Sequence, residues 1–320
     1  MPERICIVGA GAIGGLFAAH LAQLPEIEVW VFDAAQQHVD AINRNGLRVT
    51  GAVELIGRVY ARTDPSEIPD CPLGIIATKG TVTEPAISAT ARIFAAGAVC
   101  SVQNGIGNEE VIAERVSQVM RGVTLPAARV AAPGVINMDG SGTTWVGPFE
   151  PKPAAMDEVE RLGSLLNRGG METRALADAR GAQWTKLLFN FATNPLCALT
   201  GLTPGQLCEL PATRRLVGQV LAEGLAVAGA LGIALEDDPE ELVDTLGRAG
   251  YDHKPSMLQD VLARRPTEIG TLNEGLVAQA RACGIPVPGE PGGGRPDPRA
   301  RAQLVGFLAG FLGGPSASRP

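Results

Sequence analysis

The chain has 320 residues, 45% of them apolar, and a formal net charge of −7. That length allows two domains, each with its own core, and the apolar share is ordinary for a globular protein. The acidic balance and the lack of a basic block argue against a nucleic-acid partner, and no apolar run reaches the ~18 residues of a membrane span.

The opening stretch MPERICIVGAG runs straight into a strand pattern and lacks the layout of a signal peptide. Cys6, Cys71, Cys100, Cys197, Cys208 and Cys283 are scattered, mostly in apolar segments, and form no CxxC pair. With only three histidines, no metal-ligand spacing arises, so no metal site is expected. The cysteines read as small core residues in a reducing cytoplasm.

The first half alternates strand and helix. Arg4–Val8 is a short β-branched run, and Gly15–Leu24 has helical periodicity. Between them lies Gly9-Ala10-Gly11-Ala12-Ile13-Gly14, a glycine-rich turn of the kind that lets backbone approach a pyrophosphate at a helix N-terminus. Gly9, Gly11, Ala12, Ile13 and Gly14 are therefore candidate dinucleotide contacts. A second strand, Glu28–Phe32, ends at Asp33, 19 residues after Gly14, near the ~20 expected for the carboxylate that binds an adenine-ribose hydroxyl. Such a carboxylate repels a 2′-phosphate, and Ala34-Ala35-Gln36-Gln37 brings no cation, so NAD is favoured over NADP. Lys79 keeps NADP open. The alternative role for Asp33 is to cap a helix over Gln36–Asn45.

Further strands are expected at Pro72–Thr78, followed by Lys79-Gly80, and at Ala98–Val102, followed by Gln103-Asn104-Gly105. Ligands bind at the ends of parallel strands, which places Lys79 and Asn104 near the cofactor. The plainer alternatives are a solvated loop lysine and an Asn-Gly turn. Val123–Val130, Val135–Asn137 and Thr143–Gly147 read as more exposed β structure that extends the sheet.

From Met156 the pattern is mostly helical. The richest stretch is Trp184–Thr200, WTKLLFNFATNPLCALT, apolar nearly all round and so a buried helix. Lys186, Asn190 and Asn194 interrupt it at i, i+4 and i+8 and stack on one face. An unsatisfied buried amide costs roughly 1–3 kcal/mol, and a charge more, so that face needs internal partners or a wet pocket. Pro204-Gly205 reads as a break. Arg214–Leu231 is a long amphipathic helix closed by Gly232, and Asp238–Arg248 is another. Ser256 with Gln259 reads as a capping box. Pro266 restarts a helix whose Ile269, Leu272, Leu276 and Ala280 share a face, with Glu268 in its first turn. Residues 287–298 form a Pro/Gly linker, and Arg299–Phe311 fits a short helix. The expected division is 1–176, a Rossmann-type dinucleotide-binding domain; 177–288, an all-α substrate domain; and 289–320, the linker and short C-terminal helix.

GAGAIGG at 9–15, NGLRV at 45–49, Lys79 after a strand, QNGIGNEE at 103–110, WTKLLFNFATNPLCALTG at 184–201 and SMLQDVLARRPTEIGTLNEGLVAQARACGIPVP at 256–288 occur in this order. Together they resemble the ketopantoate reductase (2-dehydropantoate 2-reductase) family, within the 6-phosphogluconate dehydrogenase-like superfamily. The resemblance implies an α/β fold, with an N-terminal Rossmann-type domain, a second all-α domain and a cleft between them. It implies reduction of the 2-keto group of ketopantoate by NAD(P)H, a step toward pantothenate. On it, Lys186 falls on the catalytic lysine, Asn190 and Asn194 on substrate-contacting asparagines, and Ser256 on the serine at the substrate carboxylate. Glu268 falls on the glutamate at the distal hydroxyl, and Asn104 on the asparagine near the nicotinamide ribose and substrate. One departure is the absence of the arginine that NADP-using members carry after the second strand, where this chain has Asp33-Ala34. That leaves open an NAD-dependent D-2-hydroxy acid (mandelate-like) dehydrogenase; the separate alternative of a non-catalytic nucleotide-binding protein is opposed by the presence of Lys186, Asn190, Asn194, Ser256 and Glu268 together. The expected partner is a small 2-keto acid, and the C-terminal extension is a candidate homodimer contact.

Overall fold

The computed structural model describes residues 2–249 and 251–285; the linker and helix expected over 289–320 lie outside them. The chain divides into two compact units. One runs from the N-terminus to Gln103 and includes Gly107–Arg180; the other holds Asn104–Ile106 and the chain from Gly181.

The first unit contains, in order, β1 (Glu3–Val8), α1 (Ala12–Leu21), β2 (Ile27–Phe32), α2 (Gln36–Asn45), β3 (Leu47–Gly51), β4 (Leu55–Gly57), β5 (Tyr60–Arg62), β6 (Leu73–Ile76), α3 (Thr83–Thr90), β7 (Ala98–Ser101), α4 (Asn108–Ala113), β8 (Gln118–Thr124), β9 (Ala127–Ala132), β10 (Val135–Gly140), β11 (Thr144–Pro148), α5 (Met156–Arg168) and β12 (Thr173–Ala175). Among the described residues, the main sheet has the order β12-β11-β8-β7-β6-β1-β2-β5. Its pairs are parallel except β8 with β11. A parallel strand covered on both faces must be apolar throughout, and Ile5, Cys6, Ile7 and Val8 of β1 are fully buried. One face packs Ile5, Ile7, Val29, Val31 and Ile75 with Leu16 and Phe17 of α1. The other packs Cys6, Val8, Ile76 and Val99 with Ile87, Phe94 and Ile112.

One expectation changes here. The segments after residue 123 do not form one extended sheet. β8 and β11 join the main sheet, whereas β9 and β10 pair with β3 and β4 in a second sheet of order β4-β3-β10-β9 that packs on α1. Pro126 supplies no N–H to a ladder and separates β8 from β9. Gly134 turns between β9 and β10 at φ +73°. The helix starting at Met156 belongs to the first unit, where α5 packs on β11 and β12.

The second unit is helical: α6 (Arg180–Thr200), α7 (Pro204–Glu209), α8 (Pro211–Ala230), α9 (Pro239–Ala249), α10 (Ser256–Leu262), a π-helical turn over Gly270–Glu274, and α11 (Gly275–Ala282). α6 is its centre. Leu187, Leu188, Phe191, Leu196 and Cys197 pack with Val217, Val220 and Leu221 of α8 and with Leu272, Leu276 and Ala280. Gly224 allows that approach, since a Cβ there would lie 2.3 Å from Leu188 Cδ2.

Pro204 begins a helix rather than breaking one. Gln206 N donates to Thr203 Oγ1 at 3.3 Å and Thr203 N to Gln206 Oε1 at 3.0 Å, a capping box with proline at the first helical position. No such box forms at Ser256. The extended residue before α10 is Pro255, so Ser256 is already helical and caps nothing, and Gln259 Nε2 donates to Lys254 O at 2.7 Å. The last helical segment starts at Ile269, not Pro266. Leu272 N donates to Glu268 O at 3.1 Å, which puts Glu268 at the mouth of that segment rather than inside its first turn.

Candidate active site

In the first unit, the strand ends converge on the glycine turn after β1. Gly9 has φ +92°, and a Cβ on Gly14 would lie 1.9 Å from Gly9 O, so both positions exclude a side chain for internal reasons. Gly11 differs: a Cβ there would meet nothing within 4 Å. Gly11 is the N-cap of α1 and makes no side-chain cap, and Ala12 and Ile13 behind it are only half-buried. An uncapped helix N-terminus facing open space is a cradle for a phosphate pair, so these residues fit a dinucleotide.

Ala10 is held from both sides. Its N–H donates to Asp33 Oδ2 at 2.8 Å, and its carbonyl accepts from His38 Nε2 at 2.9 Å. Gly134 N donates to His38 Nδ1 at 3.1 Å, which assigns the neutral imidazole with its proton on Nε2. Asp33 Oδ1 accepts from Ala35 N at 2.8 Å. The N-cap of α2 is Ala35, so Asp33 braces the glycine turn instead of capping that helix. His38 carries no sequence signal, being a lone histidine in a polar helix.

Lys79 is exposed at the end of β6, just before a 3-10 turn. Beyond the end of β7, buried Gln103 donates through Nε2 to Thr78 O and Thr78 Oγ1, both at 3.1 Å, and to Thr83 Oγ1 at 2.8 Å. Thr83 Oγ1 donates in turn to Asn108 Oδ1 at 2.9 Å. This polar lock ties two strand ends to the starts of α3 and α4, and only its position before Asn104 could have flagged Gln103. Arg62, the β5 partner of Phe32, has Nε 2.9 Å from Glu67 Oε2, and its guanidinium lies 5.5 Å from the centre of the Trp30 ring.

In the second unit, Lys186 Nζ donates to Asn104 Oδ1 at 2.7 Å. The segment carrying Asn104 is pinned there: Gln183 Nε2 donates to Gly105 O at 3.4 Å, and Ile106 N to Thr271 O at 3.1 Å. Gly105 has φ +87°, and a Cβ would lie 2.5 Å from Thr271 O, so the close approach needs glycine. Burial lowers the Lys186 pKa to about 8, with the charge of Glu268 partly opposing the shift. Asn190 is 9% exposed, yet its carboxamide makes no hydrogen bond among the described residues. Asn194 is buried, and its Oδ1 accepts a long bond from Thr193 Oγ1 at 3.5 Å. Lys186, Asn190 and Asn194 share one face of α6, and Glu268 acts on the lysine, so the second unit gathers Asn104, Lys186 and Glu268 around one ammonium. Ser256 opens α10, half-buried, its hydroxyl unused as a cap.

The ketopantoate reductase PanE/ApbA family model matches residues 5–151, and the model of its C-terminal domain matches residues 178–289. The chain belongs to the ketopantoate reductase family. The 2-dehydropantoate 2-reductase of Pyrococcus abyssi is 33% identical over 287 residues, covering 89% of this chain and 93% of its own. That of Halobacterium salinarum is 30% identical over 289 residues, covering 89% and 94%. Among solved structures, a PanE/ApbA family ketopantoate reductase from Ralstonia eutropha aligns with a TM-score of 0.81 at 29% identity, over 98% of this chain and 100% of that one. A D-mandelate dehydrogenase with NADH and anilino(oxo)acetate shares the fold, with a TM-score of 0.82 at 22% identity over 97% of each chain. In this ketopantoate reductase family member, Gly9, Gly11, Gly14, Asp33, Lys79 and Asn104 lie in the first matched segment, and Lys186, Asn190, Asn194, Ser256 and Glu268 in the second. Among the described residues, no helix is long and apolar enough to cross a membrane, and no group of three or more His, Cys, Asp or Glu could hold a metal ion.

Proposed function

We propose that this protein transfers hydride from a reduced nicotinamide dinucleotide to the keto carbon of a small 2-keto acid, with ketopantoate the first-choice substrate. The observation that carries this reading is the Lys186 ammonium, 2.7 Å from Asn104 Oδ1, with its pKa lowered to about 8. The bound nicotinamide supplies the hydride. A carbonyl that accepts hydride becomes an alkoxide, so a cation placed at that oxygen stabilises the transition state more than the ground state. Lys186 then gives the oxygen its proton; such a donor contributes about 10²–10⁴-fold. Burial supports this role, because a lysine near pKa 8 is protonated at neutral pH yet releases its proton readily. Asn104 orients the ammonium. Asn190 and Asn194 offer carboxamides to the acid, Ser256 its hydroxyl to the carboxylate, and Glu268 accepts from a distal hydroxyl.

The glycine turn would hold the pyrophosphate and Asp33 the adenine ribose. Both Asp33 oxygens already take one backbone N–H each and keep lone pairs for ribose hydroxyls. The neighbouring cation, Arg62, is engaged by Glu67. These features favour NAD over NADP. The six cysteines are free thiols, four of them buried, which fits a reducing compartment such as the cytoplasm.

A second reading, an NAD-dependent dehydrogenase of mandelate-like or branched D-2-hydroxy acids, is favoured by the Asp33-Ala34 pair, which lacks the arginine expected of NADP-using relatives. The deciding experiment follows absorbance of the reduced nicotinamide with NADH and NADPH against ketopantoate, 2-ketoisovalerate and benzoylformate. The leading reading expects the highest kcat/KM for ketopantoate, with NADH. Preference for benzoylformate selects the second, and cofactor binding without turnover of any keto acid refutes both.

A further inference from the structure

α6 has a proline in its interior, Pro195. Proline has no N–H, so the carbonyl four residues earlier, that of Phe191, loses its α-helical donor. A buried carbonyl left unpaired is costly. Asn273 serves it from another element: its Nδ2 donates to Phe191 O at 3.4 Å. Turning the carboxamide over would set oxygen against oxygen, so the donor assignment is the physical one.

Asn273 is fully buried, and its own Oδ1 has no hydrogen-bond partner among the described residues. It lies in the π-helical turn Gly270–Glu274, an element that recurs at functional sites. The turn hangs from Glu268, whose carbonyl accepts from Leu272 N at 3.1 Å and from Thr271 Oγ1 at 3.2 Å. Phe191 sits beside Asn190 on the helix that carries Lys186. A single side chain therefore joins the break in α6 to the segment that presents Glu268. A buried acceptor kept without a partner is the kind of local cost that proteins retain where geometry matters.

We propose that Asn273 is a positioning residue: by bonding the carbonyl that Pro195 leaves open, it sets the register of Glu268 against the Lys186, Asn190 and Asn194 face. The inference rests on the reading of that face as the keto-acid site, and it is tested without turnover. The field of Glu268 raises the Lys186 pKa against burial, so the lysine reports where the carboxylate is.

The variants are Asn273→Ala, Pro195→Ala and Pro195→Ala/Asn273→Ala in the full chain. Thermal melting is recorded, and Lys186 is titrated by NMR of its ε-methylene, assigned by its loss in Lys186→Met. Asn273→Ala should lower Tm and move the Lys186 titration down by about half a pH unit. The double variant gives Phe191 O a backbone donor again. It should recover Tm relative to Asn273→Ala, while its lysine titration stays low compared with Pro195→Ala. Recovery of the titration along with Tm would reduce Asn273 to a plug for an open carbonyl and overturn the proposal, as would an Asn273→Ala protein with the wild-type titration. If Asn273→Ala does not fold, the double variant compared with Pro195→Ala carries the test alone. An inactive wild type would refute the reductase reading and leave the titration result interpretable.

Discussion

The glycine turn and the Lys186 face are built on opposite principles. At the turn, function comes from missing side chains: Gly9 and Gly14 are excluded from carrying a Cβ by their neighbours, whereas Gly11 faces open space. On α6 it comes from side chains that burial disfavours, an ammonium at pKa about 8 and a buried carboxamide with no hydrogen bond among the described residues. An anion is best met by backbone N–H groups that nothing covers, while a reacting carbonyl needs a charge that a dry surrounding strengthens. The same contrast separates what each site costs. The turn is braced internally through Ala10, whereas on the helix face Lys186 is held by Asn104 and the Asn190 carboxamide makes no hydrogen bond among the described residues.

The strongest break in the second region is Lys186→Met. Turnover should fall by at least about 10²–10⁴-fold, with Tm unchanged or raised because a partly buried charge has been removed. Near-native turnover would refute the assignment. In the wild-type enzyme, kcat/KM should fall as pH rises through about 8, where Lys186 loses the proton it must donate, and the variant's residual rate should lack that limb.

The first region can be split by two alanines. Gly14→Ala would place a Cβ 1.9 Å from Gly9 O, so it should destabilise the fold by about 1–3 kcal/mol or more, read as a drop in melting temperature. Gly11→Ala meets no protein atom within 4 Å, so Tm should hold while the KM for NADH rises about tenfold by crowding the bound pyrophosphate. Equal effects at the two glycines would remove the distinction between a packing glycine and a binding one.

The smallest effect tests a carboxyl outside the Lys186 face. Burial on α8 raises Glu223 to about 7, and no partner among the described residues compensates it. A carboxyl with a raised folded-state pKa contributes stability that is present below its unfolded value of ~4.3 and lost as pH rises through about 7. Glu223→Gln should therefore melt higher than wild type at pH 8 and no differently at pH 4, with kcat untouched. A pH-independent difference would mean that the carboxyl is better hydrated than its position implies.

Much of the site was legible before any coordinates. The β1–turn–α1 unit shows itself through a β-branched run, the glycine spacing and a helical period, all within the first two dozen residues. α6 shows itself because Lys186, Asn190 and Asn194 are conspicuous in an otherwise apolar rod. Less local features were misplaced. The capping box assigned to Ser256 belongs to no residue there, because Pro255 takes the extended position, while the box at Thr203 went unread behind Pro204. The second sheet was not foreseen, since β3 and β10 are far apart in sequence and no pattern in either names its partner.

Periodicity and glycine spacing were enough to determine that this chain makes a dinucleotide-type turn and a buried helix with one polar face, because those features depend on residues within a few turns of one another. Tertiary structure alone decided what those groups bond to: Asp33 and His38 to Ala10, Lys186 to Asn104, and Asn273 to the carbonyl freed by Pro195. Each of those bonds spans some twenty to eighty residues, a separation at which only the packing of whole elements can bring a donor to its acceptor.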